Sequence, residues 1–145
     1  MRHNILSLFI GTFLLLHLFS LRSLAEQQEI VLLTSQNGPD AIKQEEIRQI
    51  FLGKKTRWAD DTKITFVLFS DRTVLQTFLK AYVGKTSSQY KNYWKKQVFT
   101  GKGRIPQSFK RPEDLLSFLA EHDGVIGFSR RGDVDSERVK VIKIE

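Results

Sequence analysis

The chain has 145 residues, 23 Lys and Arg against 16 Asp and Glu, a formal charge of +7 and no cysteine. The missing cysteines exclude a disulfide framework and leave packing as the source of stability. The positive balance favours anionic partners, and the length suits one domain.

The N-terminus reads as a targeting segment. Arg2 and His3 open it, Ile5 to Leu21 is a mostly apolar run, and Ser23-Leu24-Ala25 offers small residues for cleavage. That is the pattern of a secretory signal peptide over residues 1–25. An uncleaved membrane anchor is the competing reading. The run is interrupted by Ser7, Gly11, Thr12, His17 and Ser20, and a spanning helix wants about 20 predominantly apolar residues. Arg2 and Arg22 leave with the segment, so residues 26–145 form one domain of 120 residues with a charge of +5. The expected compartment is the periplasm. Export argues against nucleic acid, the usual alternative for a basic chain.

Glu29 to Thr34 is a short apolar run and reads as a buried strand. A loop through Asn37-Gly38-Pro39 follows. The spacing of Ile47, Ile50 and Phe51 predicts a helix with Gly53 at its C-terminal cap. Ile64 to Phe69 is the strongest strand. Ser70 or Asp71 caps a second helix, buried through Val74, Leu75, Phe78, Leu79 and Tyr82 and ended by Gly84. Thr86 to Gln89 has capping-box spacing and starts a third helix, with Tyr90, Trp94 and Val98 on one face.

Thr100 to Pro106 is a loop. Pro112 opens a fourth helix, with Glu113 and Asp114 near its positive end. Asp123-Gly124 turns into a strand at Val125–Phe128, and Val139–Ile144 is the last strand. Strands separated by helical crossovers, in the order β-α-β-α-α-α-β-β, indicate a layered α/β fold.

Ile47-Arg48-Gln49-Ile50-Phe51-Leu52-Gly53-Lys54, followed by Trp58, resembles the Leu-x-x-Ile-Phe-x-Gly-Lys-x-x-x-Trp signature of substrate-binding proteins of phosphate ABC transporters. Asp123 to Phe128 resembles that family's Pro-Gly-Ala-Ile-Gly-Tyr strand, and Val139 to Ile144 its Val-Lys-Ala-Leu-Lys-Ile strand. Phe99-Thr100-Gly101-Lys102-Gly103 is similar to the Phe-Thr-Gly-x-Gly of a group of short exported proteins of this kind. The resemblance spans about residues 29–145. It implies a single lobe of a type II periplasmic-binding-protein-like fold, a mixed sheet flanked by helices. The full family has two lobes with the ligand between them; this chain has sequence for one.

The family's Arg-x-x-Ser-Gly-Thr anion-binding turn would lie between the Ile64–Phe69 strand and the next helix. Here the turn reads Ser70-Asp71-Arg72-Thr73, so Ser-Gly-Thr is absent. Ser70, Arg72 and Thr73 are the nearest equivalents and the expected anion ligands. Asp71 opposes an anion there. A helix start still offers free N–H groups and a positive dipole end. The plainer reading is a capped helix with an exposed arginine.

Other motifs carry less. Thr100 to Arg104 could form a backbone nest, but reads as a helix stop. Gly84-Lys85-Thr86-Ser87 mimics the end of a phosphate-binding P-loop, but Leu79 stands where its first glycine belongs. Arg131-Gly132-Asp133 is too short to count. The domain has one histidine, His122, no nucleophile–base arrangement and no metal-ligand spacing, so neither an enzyme, a metal nor a cofactor is expected. Two functions remain. One is a module that binds phosphate or a related oxyanion. The other is a ligand-free interaction module that docks on an envelope sensor, channel or transporter. Self-association could rebuild a two-lobed cleft.

Overall fold

The computed structural model describes residues 28–145. The expected signal segment, residues 1–25, lies outside them. Strand β1 (Ile30–Thr34) leads through a loop to β2 (Ala41–Ile42) and helix α1 (Gln44–Phe51). Next come β3 (Thr65–Phe66), β4 (Leu68–Phe69) and α2 (Arg72–Phe78), which continues as a π-helical turn over Leu79–Val83. Helix α3 (Ser87–Phe99), β5 (Ser108–Phe109), α4 (Pro112–Glu121), β6 (Val125–Arg130) and β7 (Lys140–Ile144) complete the fold.

A five-stranded mixed sheet runs in the order β2-β7-β1-β6-β3. Its centre is antiparallel, with Leu33 opposite Gly127 and Leu32 opposite Ile142. The outer strands pair in parallel, β3 on β6 and β2 on β7. Strands β1 and β6 are buried along most of their lengths because helices and loops cover the sheet there.

The strand expected at Ile64–Phe69 is two strands in two sheets. Val67 N–H still donates to Ile126 O at 2.9 Å, whereas Leu68 N–H donates to Gln107 O at 2.9 Å and Ser70 N–H to Phe109 O at 2.7 Å. The chain changes partner at Val67. Sequentially, β4 pairs in parallel with β5 in a separate two-stranded sheet. Residues 67 to 69 are all buried, as two-sided cover requires.

The helix termini follow local chemistry. Thr86 accepts from Gln89 N–H while the Gln89 side chain accepts from Thr86 N–H, a reciprocal capping box. Gly53 and Gly84 take φ of +69° at the ends of their helical segments, a conformation that suits glycine. Pro112 is the first residue of α4. Tyr90 and Tyr93 hydroxyls donate to Phe51 O and Leu52 O at 2.7 Å each, so α3 satisfies carbonyls left free at the end of α1.

One expected core residue is displaced. Tyr90 and Trp94 are buried, but Val98 is 40% exposed and Phe99 92%. Helix α3 is longer than the surface it packs on, so its last turn leaves the core with its apolar periodicity intact. Trp94 stacks obliquely on Phe66 at 5.4 Å and meets Tyr93 edge-on at 5.6 Å. A Cβ on Gly53 would sit 2.8 Å from the Trp94 ring and one on Gly103 at 2.9 Å. Both glycines therefore leave room for the indole.

Trp94→Ala should cost about 3–5 kcal/mol, the range for large aromatic truncations in cores. Phe99→Ala and Arg104→Ala should stay within about 0.5 kcal/mol of wild type, as exposed sites do. Denaturant unfolding of the three variants checks this. Equal midpoints for wild type and Trp94→Ala would show that α3 is not packed as described.

Candidate functional site

The turn after β4 is built by the partner change at Val67. Ser70 leaves the two-stranded sheet with its N–H on Phe109 O, and α2 starts two residues later. Asp71 is the N-cap. Its Oδ1 accepts from Val74 N–H at 3.0 Å, a bond that stabilises a helix start by about 1 kcal/mol. Its other oxygen meets the Arg130 guanidinium at 2.9 Å. Arg130 ends β6 and also lies 3.7 Å from Asp133, which accepts from Ser129 Oγ at 3.2 Å.

Asp71 is therefore an oxygen anion held by a helix amide and an arginine. The Val74 amide first, and Arg130 next, hold its carboxyl below the usual carboxylate range. Asp71 is expected to oppose an incoming anion at this turn. Its carboxylate also pairs with Arg130, which it shares with Asp133.

The three expected ligands do not converge on one point. Ser70 Oγ is hydrogen-bonded to Ser108 Oγ on β5. Arg72 and Thr73 are exposed and line a shallow depression on the outer face of α2 with Gln76 and Lys80. Among the described residues, neither the Arg72 nor the Thr73 side chain makes a hydrogen bond or ion pair. Both remain available to a ligand in solvent. Ser108 and Arg130 belong to the same neighbourhood, but nothing in the sequence flagged them. They lie far along the chain, and only strand pairing brings them in.

The other motifs are structural. Trp58 is half-buried, with its indole N–H donating to Gly124 O at 3.3 Å. His122 stacks on Phe118 at 4.2 Å near the end of α4. Thr100 caps the end of α3 by donating to Lys96 O at 2.9 Å.

The carboxyl shifts predict an acid response. Lys55 holds Glu46 down as the Val74 amide and Arg130 hold Asp71. These groups bind protons more weakly folded than unfolded. Their stabilisation is complete above the unfolded range, about pH 4, and is lost as pH falls through the folded values. The melting temperature should therefore drop below about pH 4. Asp71→Asn should show a smaller acid-dependent drop, because it keeps an acceptor for Val74 but has no charge to lose. Thermal melts across acid pH test this, and identical pH profiles would contradict it.

Neither a protein-family model nor a curated protein matches the chain. Solved structures do. A phosphate ABC transporter substrate-binding protein with bound phosphate from Clostridium perfringens is similar with a TM-score of 0.61 at 20% identity, over 79% of this chain and 44% of that one. PstS from Borrelia burgdorferi gives 0.61 at 16% identity, over 80% and 47%. An ABC-type phosphate transport receptor from Vibrio cholerae gives 0.54 at 16%, over 79% and 45%. The chain spans less than half the length of these proteins. It has the fold of one lobe of a periplasmic phosphate-binding protein.

Proposed function

We propose that the chain is an exported, non-enzymatic module that binds phosphate or a related oxyanion weakly at the Ser70–Thr73 turn. The observation that carries this reading is Asp71. Its carboxylate already rests on the Val74 amide and Arg130, so the turn supplies donors suited to an oxygen anion. An incoming ion would meet the Arg72 and Thr73 side chains and compete with, or sit beside, that carboxylate. Arg72 would give a charge-assisted contact. The Clostridium perfringens protein of this fold holds phosphate, which supports the ligand class. Cleavage before Glu26 would place the module in the periplasm.

A single lobe leaves an ion half solvated, so the affinity should be about millimolar or weaker, about 4 kcal/mol or less. The second reading is a docking module in which the Asp71 carboxylate permanently replaces a ligand. One experiment separates them. Amide-resolved NMR titration with phosphate, against chloride at fixed ionic strength, should shift residues 70–73 in the wild type. Arg72→Ala should abolish the response, and Asp71→Asn should strengthen it. Equal shifts with chloride, or shifts that persist in Arg72→Ala, would remove the oxyanion reading.

A further inference from the structure

Between Asp71 and Glu113 the chain carries ten Lys and Arg and no acid. Residues 26–145 total +5, so the remainder of the domain is −5. The acid-free stretch covers α2, the π-helical turn, α3, the following loop and β5. Among the described residues, only Arg111 of the ten forms an ion pair, with Asp114 at 2.6 Å. Such an excess of positive charge draws this part of the domain toward negative charge.

The exposed apolar side chains fall in the same stretch. Among the described residues, Val98 (40%), Phe99 (92%) and Ile105 (74%) are the exposed large hydrophobics, all within residues 98–105. Phe99 and Ile105 bracket the loop that carries Lys102 and Arg104. On α3, Lys91, Lys95 and Phe99 follow at i, i+4 and i+8, so they form one stripe. Lys91 and Lys95 also border an apolar groove of about 360 Å³, with Leu75, Trp94 and Pro106 among its walls. Ile105 lines it too. Lys91, Lys95 and Ile105 therefore border one groove, with Phe99 on the same helix stripe as the two lysines.

We propose that this region docks on an anionic lipid surface, with Phe99 and Ile105 entering the boundary between headgroups and acyl chains and the surrounding lysines resting on lipid phosphates. The pattern is that of an interfacial contact, apolar tips flanked by cations. Other occupants fit less well. The cations spread over two helices and a loop, so they do not converge on a small ion. A second copy seated face to face would bring two acid-free surfaces together. A soluble acidic protein would neutralise the lysines but leave the projecting Phe99 and Ile105 without an apolar phase to enter. This inference does not depend on oxyanion binding at the Ser70–Thr73 turn.

The test uses protein beginning at Glu26, which retains every described element and lacks the apolar N-terminal run. Cosedimentation is measured with phosphatidylcholine vesicles with and without phosphatidylglycerol. Binding should require phosphatidylglycerol and fall as salt rises. Lys91→Gln and Lys95→Gln should each weaken it about fivefold, the worth of one surface cation. The pair Phe99→Ser and Ile105→Ser should weaken it about tenfold or more. All four positions are exposed, so unchanged melting temperatures will certify the variants. Three outcomes overturn the proposal: no binding to phosphatidylglycerol vesicles, binding that ignores the loss of Phe99 and Ile105, or no vesicle binding together with capture by polyglutamate, which would make the face a site for acidic proteins.

Discussion

The stack of Phe78 on Phe128 is the contact on which the rest of the lobe depends. The two rings are fully buried, 3.8 Å apart and nearly parallel. Phe51 closes the cluster from α1, at 4.7 Å from Phe78 and 5.9 Å from Phe128. Three elements distant in sequence are thereby fixed by three side chains. Asp71 lies two helical turns before Phe78 on α2, and Arg130 lies two residues beyond Phe128 on the same side of β6. The Asp71–Arg130 pair is thus the solvent-facing end of the same helix-on-strand contact. Its partial exposure limits its own contribution to stability. Its larger effect is positional, because it fixes what the start of α2 presents to solvent.

The partner change at Val67 gives that helix start its surroundings. Had residues 64 to 69 stayed on the large sheet, Ser70 would have no β5 beside it. By switching to Gln107–Phe109, the chain places Ser108 against Ser70 and brings the basic loop after α3 next to the apolar side of α2. One edge-strand rearrangement thus shapes both the turn and the neighbouring groove. The tyrosines of α3 hold the other side in place by tying the helix to the end of α1. Apart from Arg111, the cations of the segment form no ion pair among the described residues, so their charge faces solvent.

Features set by chemistry a few residues long were legible in the sequence. The Thr86–Gln89 capping box, the glycine stops at Gly53 and Gly84, and Pro112 at the start of α4 are such features. The resemblance around Ile47–Trp58 and Asp123–Phe128 pointed to the lobe, and the solved structures bear out that fold. What was not legible depended on which edges meet. Ser108–Phe109 has no strand-like run, and the continuous apolar stretch at Ile64–Phe69 gives no sign of where pairing changes. Periodicity identified the face of α3 that holds Tyr90, Trp94 and Val98. It could not tell that the core ends before Val98. In sequence Asp71 is a cap and an obstacle to an anion, whereas Arg130, which pairs with it, is 59 residues away.

The central claim is that the start of α2 already holds an anion of its own, the Asp71 carboxylate, on a helix amide and an arginine. Site-resolved carboxyl NMR titration of Asp71 tests this most directly. The account predicts titration below the ordinary aspartate range of about 3.9, with the value rising when Arg130 is replaced by Gln. An Asp71 that titrates as a free surface carboxyl, unchanged by Arg130→Gln, would contradict it.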